Sequence, residues 1–442
     1  MVAEAAAVIR DSPRAWRLCA LAALCVSGLV LRYLLVAPYG FLLGEDAYFH
    51  REVTSYLVSS GRLPQYDIVG WEAAHPYFLS LSSKLRAYPW GFHVLVYPFA
   101  RTLGDGAYRL FPVVLSTGTP LAVYLFAREL SGEESVGFAA AALASTQDVV
   151  AHSVLLLPQG VGLLVLPVCL YLFLTTRYGA ALGAAMIFVH PFSAVIILVC
   201  VASLGLWRKE YLKTGRVMAC AAVIVAAYIA MTLSTSSPGE TFHIGAPLLV
   251  TYGWERYVDA FGLTLLFFLG IPFLRGHNER YLLVPVAILA FFSVFRVSNL
   301  PPERFFSFLS LLLACIAAMA VRGIRAPSAR TAGVAVIVLV ALVSCTPVFG
   351  HIGPSRVEVA SWNYVETSTV DDATILGWSR YPQIFVTRRL VILDQAMGSA
   401  DYVSPDTHLL SSPVMAARSS DAYQVVYDNY IPLLAFVPEG EG

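Results

Sequence analysis

The amino-acid sequence predicts an α-helical polytopic membrane protein with about eleven transmembrane helices and a small C-terminal extracytoplasmic α/β domain. The prediction rests on the composition, on the length of the apolar runs, and on the positions of Arg and Lys. Hydrophobic residues make up 58% of the 442 residues and charged residues 13%, and the mean hydropathy is +0.69. A soluble domain carries about 25% charged residues. The composition therefore excludes a soluble enzyme, since the excess apolar surface has to face lipid.

The apolar runs set the domain boundaries. A spanning helix needs roughly 20 apolar residues. The first run, near residues 16–37, is longer than a signal-peptide core and has no small-residue cleavage site, which predicts a retained anchor. We assign residues 1–349 to the transmembrane domain, with a long first outer loop at 38–106, and residues 350–442 to the extracytoplasmic domain.

The basic residues predict the orientation in the cell membrane. Cytoplasmic connections carry an excess of Lys and Arg, and with a cytoplasmic N-terminus the inner connections contain Arg14, Arg128, Arg208, Arg275 and Arg322. The C-terminus then lies outside. All nine histidines except His277 fall on the outer side, so any chemistry is predicted there.

Several classes of function are excluded. The 29 basic and 29 acidic residues leave no basic stripe for nucleic acid. None of the seven cysteines has C-x-x-C spacing, which disfavours a disulfide framework or a zinc site. A transporter would show inverted repeats and ionisable residues near the membrane midplane, but here no repeat is found and the polar residues concentrate on one side.

The C-terminal segment reads as a small α/β domain. The runs Ala373–Gly377, Leu390–Leu393 and Pro432–Val437 are strand-like, and the pattern from Asp421 to Asn429 predicts a helix. Loops longer than about 12–15 residues are usually functional or disordered. Because this segment and the first outer loop are rich in aromatic residues, we expect both to be folded.

Two outer segments repeat a carboxylate and an imidazole at a spacing of four residues. In the first, a helix starting near Glu45 puts Asp46 and His50 one turn apart. In the second, Asp148 and His152 have the same spacing. Such pairs suit a divalent cation bound to a phosphate. The alternatives are favourable charge at a helix N-terminus for Asp46 and a helix cap for Asp148.

Two further outer positions are candidates. Arg304 lies at the outer end of a long apolar helix, where an arginine is costly unless it is paired or functional. Its planar guanidinium suits phosphate, and the alternative is a pair with Glu303 or snorkelling to the surface. Glu240 lies in an outer loop that suits a lid or a general base, although most such loops are solvated connectors.

These segments, in this order, resemble motifs of the GT-C class of membrane glycosyltransferases, and in particular the catalytic subunit of archaeal oligosaccharyltransferase. In that family the first outer loop has a G-x-D-A-Y-x-H-like segment, which Asp46, Tyr48 and His50 match. A later helix begins with an R-F pair whose arginine holds the lipid-linked phosphate, and Arg304 and Phe305 match that pair.

The C-terminal W-W-D-Y-G motif of the family is degenerate here. Trp378 and Tyr381 occupy its place, but Ser379-Arg380 and Pro382 replace its other positions. In the family this motif recognises the acceptor sequon. The second outer loop also differs from the family. The family has two acidic metal ligands there, separated by one residue, whereas here Asp148 is followed by apolar residues and His152.

The resemblance implies a glycosyltransferase that moves a sugar or oligosaccharide from a polyprenyl-phosphate carrier to a protein or glycan acceptor on the outer face, within membrane lipid. It implies Mg²⁺ or Mn²⁺ as cofactor. The predicted metal ligands are Asp46, Asp148 and His152, and the predicted catalytic residues are Asp46, Asp148 and Glu240. The predicted substrate-binding residues are Arg304, His50, Tyr48, Trp378 and Tyr381. The alternative is a catalytically diverged relative that binds the lipid carrier or serves as a partner subunit.

Overall fold

The fold is taken from a computed structural model. It describes residues 13–37, 42, 45–75, 85, 89–145, 147–176, 181–233, 244–249, 254–298, 302–344, 374–376, 390–392, 402–403, 423–429 and 431–436.

Sixteen α-helices lie within these ranges. In chain order they are α1 (Pro13–Val36), α2 (Glu45–Ser60), α3 (Ile68–Ala74), α4 (Gly91–Leu103), α5 (Ala107–Ser131), α6 (Glu134–Leu143), α7 (Gln147–Val154), α8 (Pro158–Thr175), α9 (Leu182–Ala185), α10 (Pro191–Trp207), α11 (Tyr211–Leu233), α12 (Trp254–Phe261), α13 (His277–Arg280), α14 (Leu283–Val294), α15 (Phe306–Ala318) and α16 (Pro327–Ser344).

Short 3₁₀ segments extend or join several helices. They are Pro64–Tyr66, Gly104–Gly106, Met186–Phe188, Gly262–Leu269, Ile271–Phe273, Pro302–Phe305 and Met319–Gly323. The strands are β1 (Ile244–Leu249), β2 (Phe295–Ser298), β3 (Thr374–Leu376), β4 (Leu390–Ile392), β5 (Tyr402–Val403), β6 (Tyr423–Asn429) and β7 (Ile431–Phe436).

The helices agree with a membrane protein. Five helical segments are long and apolar enough to span a bilayer: Cys19–Val36, Gly91–Ser131, Pro158–Thr175, Tyr211–Ala230 and Pro302–Gly323. Three shorter apolar helices lie at Glu134–Leu143, Pro191–Trp207 and Pro327–Val340. These counts cover the described ranges alone, so the expected number of about eleven stays a prediction.

The chain divides into two compact units. Unit 1 contains residues 1–38, 109–233 and 238–347, and unit 2 contains residues 39–108, 234–237 and 348–442. The first outer loop is thus grouped with the C-terminal segment. The boundary predicted near residue 350 stays a prediction.

The core of unit 1 is α15, in which every residue is buried. It packs against α6 and against the 3₁₀ segment Gly262–Leu269, and α16 also packs on α6. Gly270, which follows that 3₁₀ segment, allows its backbone to lie close to α15, because a Cβ there would collide with the backbone carbonyl of Ile316. A side chain is therefore excluded at this position.

A buried ion-pair network lies at the C-terminal end of α15. Arg322 is 7% exposed and donates to Glu279 at 2.8 Å. It also pairs with Glu133 at 3.0 Å and donates to the carbonyls of Ser131 and Phe273. Arg330 donates to the second oxygen of Glu133 at 3.3 Å. The network joins the ends of α5, α13 and α15 in unit 1.

The helix α14 is followed directly by a strand. Residues Phe295–Ser298 form β2, so the helix ends at Val294. This strand pairs antiparallel with β1, and Leu248 lies opposite Arg296. β-branched and aromatic residues favour the extended state, and pairing with β1 satisfies the backbone there.

In unit 2, α2 packs against α4. The C-terminal sheet has the order β4-β3-β5-β7-β6, with β3 parallel to β4 and β5, and β7 antiparallel to β5 and β6. Parallel neighbours need crossover connections, as in the predicted α/β domain. The strands near residues 374–376, 390–392 and 431–436 confirm the strand-like runs.

The helix predicted from Asp421 to Asn429 is wrong. Residues Tyr423–Asn429 form β6, which makes an antiparallel hairpin with β7. The sequence Tyr423-Gln424-Val425-Val426-Tyr427 is rich in aromatic and β-branched residues, which favour a strand. Because β7 is available for pairing, this segment forms a strand and not the short helix that its apolar pattern predicts.

Candidate functional site

Arg304 occupies the 3₁₀ turn Pro302–Phe305, directly before α15. Its side chain is exposed, whereas the helix that follows is buried. No hydrogen bond or ion pair of Arg304 occurs among the described residues, and the expected alternative of a pair with Glu303 is absent there. The guanidinium is thus open to a ligand.

Aromatic rings hold this turn in place. The ring of Phe305 lies 4.9 Å from that of Phe192, at the start of α10, and stacks on Phe292 of α14 at 5.3 Å. Phe192 also contacts Phe308 at 6.3 Å. Edge-to-face and stacked rings at these distances are favourable packing geometries. Three helices therefore fix the position of Arg304.

His190 was not among the predicted site residues, but it lies two residues before Phe192, whose ring contacts Phe305 next to Arg304. It precedes Pro191 at the start of α10, and its Nδ1 is 2.7 Å from the hydroxyl of Ser193. Burial, and after it the positive charge of Arg304, lower the pKa of His190 below its ordinary value of 6.5. In the sequence, His190-Pro191 indicates only a helix boundary, because the partner residue is more than a hundred positions away.

The helix that carries Asp148 and His152 belongs to the same assembly of helices. This helix, α7, packs against α15, α12, α8 and α1. Nearby, Gln159 at the start of α8 donates to the hydroxyl of Ser307 at 3.1 Å, and both side chains are buried. His152 is half-buried, and for Asp148 the structure describes the backbone alone.

A further cation lies next to this end of α15. Arg256 on α12 has its Cζ 5.8 Å from the ring centre of Phe306. Arginine over an aromatic face is a favourable arrangement. Arg256 was not among the predicted site residues, and its place in the first turn of a helix gives no functional signal in the sequence.

In unit 2, α2 begins at Glu45, as the sequence predicts. Asp46 is exposed, whereas Tyr48 and His50 are buried. The Nδ1 of His50 is 3.1 Å from the Nε2 of His93 on α4, and a hydrogen bond joins the two rings. His50 thus contributes to the packing of α2 on α4, and its predicted contact with substrate stays a prediction.

A second polar cluster in unit 2 joins α2 to the segment that follows it. Tyr56 donates to Asp67 at 2.9 Å. The ring of Trp71 stacks on His75 at 4.0 Å, and His75 is 3.7 Å from Glu52. Burial and the bond to Asp67 raise the pKa of Tyr56 above its ordinary value of 10.0.

The remaining predicted site residues lie outside the described residues. These are Glu240, Trp378 and Tyr381. Within the described part of the chain, no group of three His, Cys, Asp or Glu side chains could hold a metal ion. Asp46 belongs to unit 2, and Asp148, His152 and Arg304 belong to unit 1.

Comparisons with known proteins give no match by sequence. No protein-family model matches the chain, and no curated protein does.

Solved structures, by contrast, match over most of the chain. ArnT from Cupriavidus metallidurans bound to undecaprenyl phosphate is similar with a TM-score of 0.63 and 11% identity, over 96% of this chain and 98% of that one. The oligosaccharyltransferase of Archaeoglobus fulgidus is similar with a TM-score of 0.57 and 12% identity. The match covers 88% of this chain and 65% of the longer archaeal protein. The protein therefore has the fold of the GT-C membrane glycosyltransferases.

Proposed function

We propose that the protein is a membrane glycosyltransferase that moves a sugar or oligosaccharide from a polyprenyl-phosphate carrier to an acceptor on the outer face of the membrane. The observation that carries the proposal is Arg304, an exposed arginine with no ion pair among the described residues, held at the end of a buried apolar helix. An arginine near the end of an apolar helix is rare unless it is paired, reaches the membrane surface or has a function, and the pair with Glu303 is absent among the described residues. The solved ArnT structure with undecaprenyl phosphate supports this class of carrier.

The reaction makes one demand that Arg304 suits. The bond between the anomeric carbon and the phosphate oxygen breaks, a bond from the anomeric carbon to the acceptor forms, and the acceptor loses a proton. Negative charge builds up on the departing phosphate. A guanidinium fixed beside that phosphate stabilises the charge, and its effect is larger near lipid, where the dielectric constant is low.

A divalent cation, Mg²⁺ or Mn²⁺, belongs to the proposal. The exposed carboxylate of Asp46 is an oxygen ligand of the kind that Mg²⁺ and Mn²⁺ prefer, and the half-buried imidazole of His152 is the second proposed ligand. Asp148 is the third proposed ligand. When bound, the cation would supply charge stabilisation for the leaving phosphate. Glu240 is the proposed general base, and Tyr48, His50, Trp378 and Tyr381 remain proposed substrate contacts.

The proposed topology places the N-terminus in the cytoplasm and the C-terminal segment outside. It rests on the distribution of Arg and Lys between alternate connections. The acceptor, a protein or a glycan, would then be met on the outer side.

A transfer assay on the purified protein tests the function. We expect transfer from a polyprenyl-phosphate-linked sugar to stop on chelation of divalent cations and to return with Mg²⁺ or Mn²⁺. Asp46→Ala should reduce the rate by about 10²-fold or more. Asp105→Ala is the matched control, since Asp105 is an exposed acidic residue of the same unit.

Two results would count against this function. Equal rates for Asp46→Ala and Asp105→Ala would remove Asp46 from the site. Tight binding of the lipid carrier without transfer in any metal would instead favour the diverged relative that binds the carrier or serves as a partner subunit.

A further inference from the structure

His190 is held in one orientation by its own surroundings. Its amide donates to the carbonyl of Met186 at 2.7 Å, and Pro191 follows at the first position of α10. The backbone of His190 is thus fixed by the hydrogen bond to Met186 before it and by Pro191 after it. The ring itself makes an edge contact with Phe192 at 6.0 Å.

Ser193 determines which ring nitrogen is available. Its hydroxyl lies 2.7 Å from Nδ1 of His190, and its side chain is fully buried. Gly162 on α8 leaves the space for this hydroxyl, because a Cβ at that position would collide with it. With Nδ1 engaged by Ser193, Nε2 is the ring atom left for another partner. When the Ser193 hydroxyl donates, the neutral ring carries its proton on Nε2.

The turns that carry His190 and Arg304 pack against each other, although they are more than a hundred residues apart in the sequence. The rings of Phe192 and Phe305, each close in sequence to one of them, are 4.9 Å apart. Besides burial, the positive charge of Arg304 disfavours protonation of the His190 ring, so its pKa is lowered. Both residues also lie just outside the apolar helices α10 and α15, at the ends where those helices begin.

We propose that His190 is a second binding residue for the phosphate of the lipid carrier, with Nε2–H donating to a phosphate oxygen beside the Arg304 guanidinium. This inference rests on the proposed function. Phosphate offers several acceptor oxygens, and a charged acceptor forms stronger hydrogen bonds than a neutral one. The guanidinium then supplies the charge, and the imidazole supplies a donor of fixed direction. Ser193 is the positioning residue of this donor.

Binding of undecaprenyl phosphate to the purified protein in detergent tests the inference. His190→Phe keeps an aromatic ring but has no N–H, and we expect its Kd to rise about tenfold or more. His190→Gln keeps a neutral donor, and we expect its Kd within about threefold of the wild type. Equal affinities for the two variants would overturn the inference.

Two other probes identify the group that His190 contacts. Undecaprenol has the same chain without the phosphate, and its binding should not differ between wild type and His190→Phe. Inorganic phosphate alone should bind weakly and should not protect against thermal unfolding, because the carrier is the proposed source of the phosphate. A loss of undecaprenol binding equal to that of undecaprenyl phosphate would show a packing role and would overturn the inference.

A double-mutant cycle tests the role of Ser193. Ser193→Ala should weaken undecaprenyl phosphate binding in the wild type but not further in His190→Phe, because it acts through the ring. Additive losses would reject that role.

Arg304→Ala separates this inference from the proposed function. If Arg304→Ala weakens binding and His190→Phe does not, only the inference about His190 fails. If neither variant weakens binding, the phosphate site of the proposed function fails as well.

Discussion

The two ends of α15 carry two arginines in opposite states. Arg322, just beyond the C-terminal end, is 7% exposed and pairs with Glu279 and Glu133. Arg304, just before the N-terminal end, is exposed and has no ion pair among the residues that the structure describes. Of the two arginines that flank α15, one therefore has a structural role and the other, in our account, binds a ligand.

The difference teaches how to separate structural from functional charge in a membrane protein. A buried arginine is tolerated only when carboxylates and carbonyls satisfy it, and Arg322 has both. Arg304, just before α15, has no such partners among the described residues, so its charge is available to an anion from outside the protein.

The largest effect on stability is expected at Arg322. Arg322→Ala leaves the buried carboxylate of Glu279 without its arginine partner, while Glu133 keeps Arg330. Breaking such a buried pair costs about 3–5 kcal/mol. Thermal unfolding in detergent measures the loss. Arg325→Ala is the matched control, because Arg325 is exposed. If both variants unfold at the same temperature, Arg322 is not structural and the comparison fails.

A smaller effect is expected at Glu133, whose carboxylate contacts both Arg322 and Arg330. Glu133→Gln keeps the shape but removes the charge, and because the side chain is 32% exposed the cost should be about 1 kcal/mol. High salt should weaken the wild type more than the variant. Unfolding temperatures at low and high salt check this, and an identical salt response would contradict it.

The smallest effect is expected near Arg304. Gln159→Leu removes the donor to Ser307 and should cost about 1 kcal/mol, because one neutral hydrogen bond is lost and leucine is close to glutamine in size. Transfer should fall little, since Gln159 holds α15 and is not proposed to contact phosphate. A fall in transfer as large as that expected for Asp46→Ala would place Gln159 in the site. It would then contradict the purely structural role that we assign to the Gln159–Ser307 hydrogen bond.

Local patterns in the sequence predict part of this account. Arg304 at the start of a long apolar helix is visible from hydropathy alone, and so is the helix beginning at Glu45. Short apolar runs also predict the strands at residues 374–376 and 390–392. Each of these signals lies within a window of about 20 residues, where period and composition carry the information.

The rest depends on contacts between distant segments. The turn that carries Arg304 is held by contacts of Phe305 with Phe192 and Phe292. Phe192, two residues after His190, is more than a hundred residues away from Phe305 in the sequence. A sequence read as single helices contains no signal for such pairs. The burial of Arg322 is invisible for the same reason, because in the sequence it is one more basic residue of an inner connection.

The open state of Arg304 is the central claim, and one measurement tests it most directly. The kcat/KM for transfer from a polyprenyl-phosphate-linked sugar should fall about 10²–10³-fold in Arg304→Ala, with the unfolding temperature unchanged. Arg304→Lys should recover part of the loss, because it keeps the charge but not the planar donors. Unchanged transfer, or a lower unfolding temperature like that of Arg322→Ala, would contradict the account.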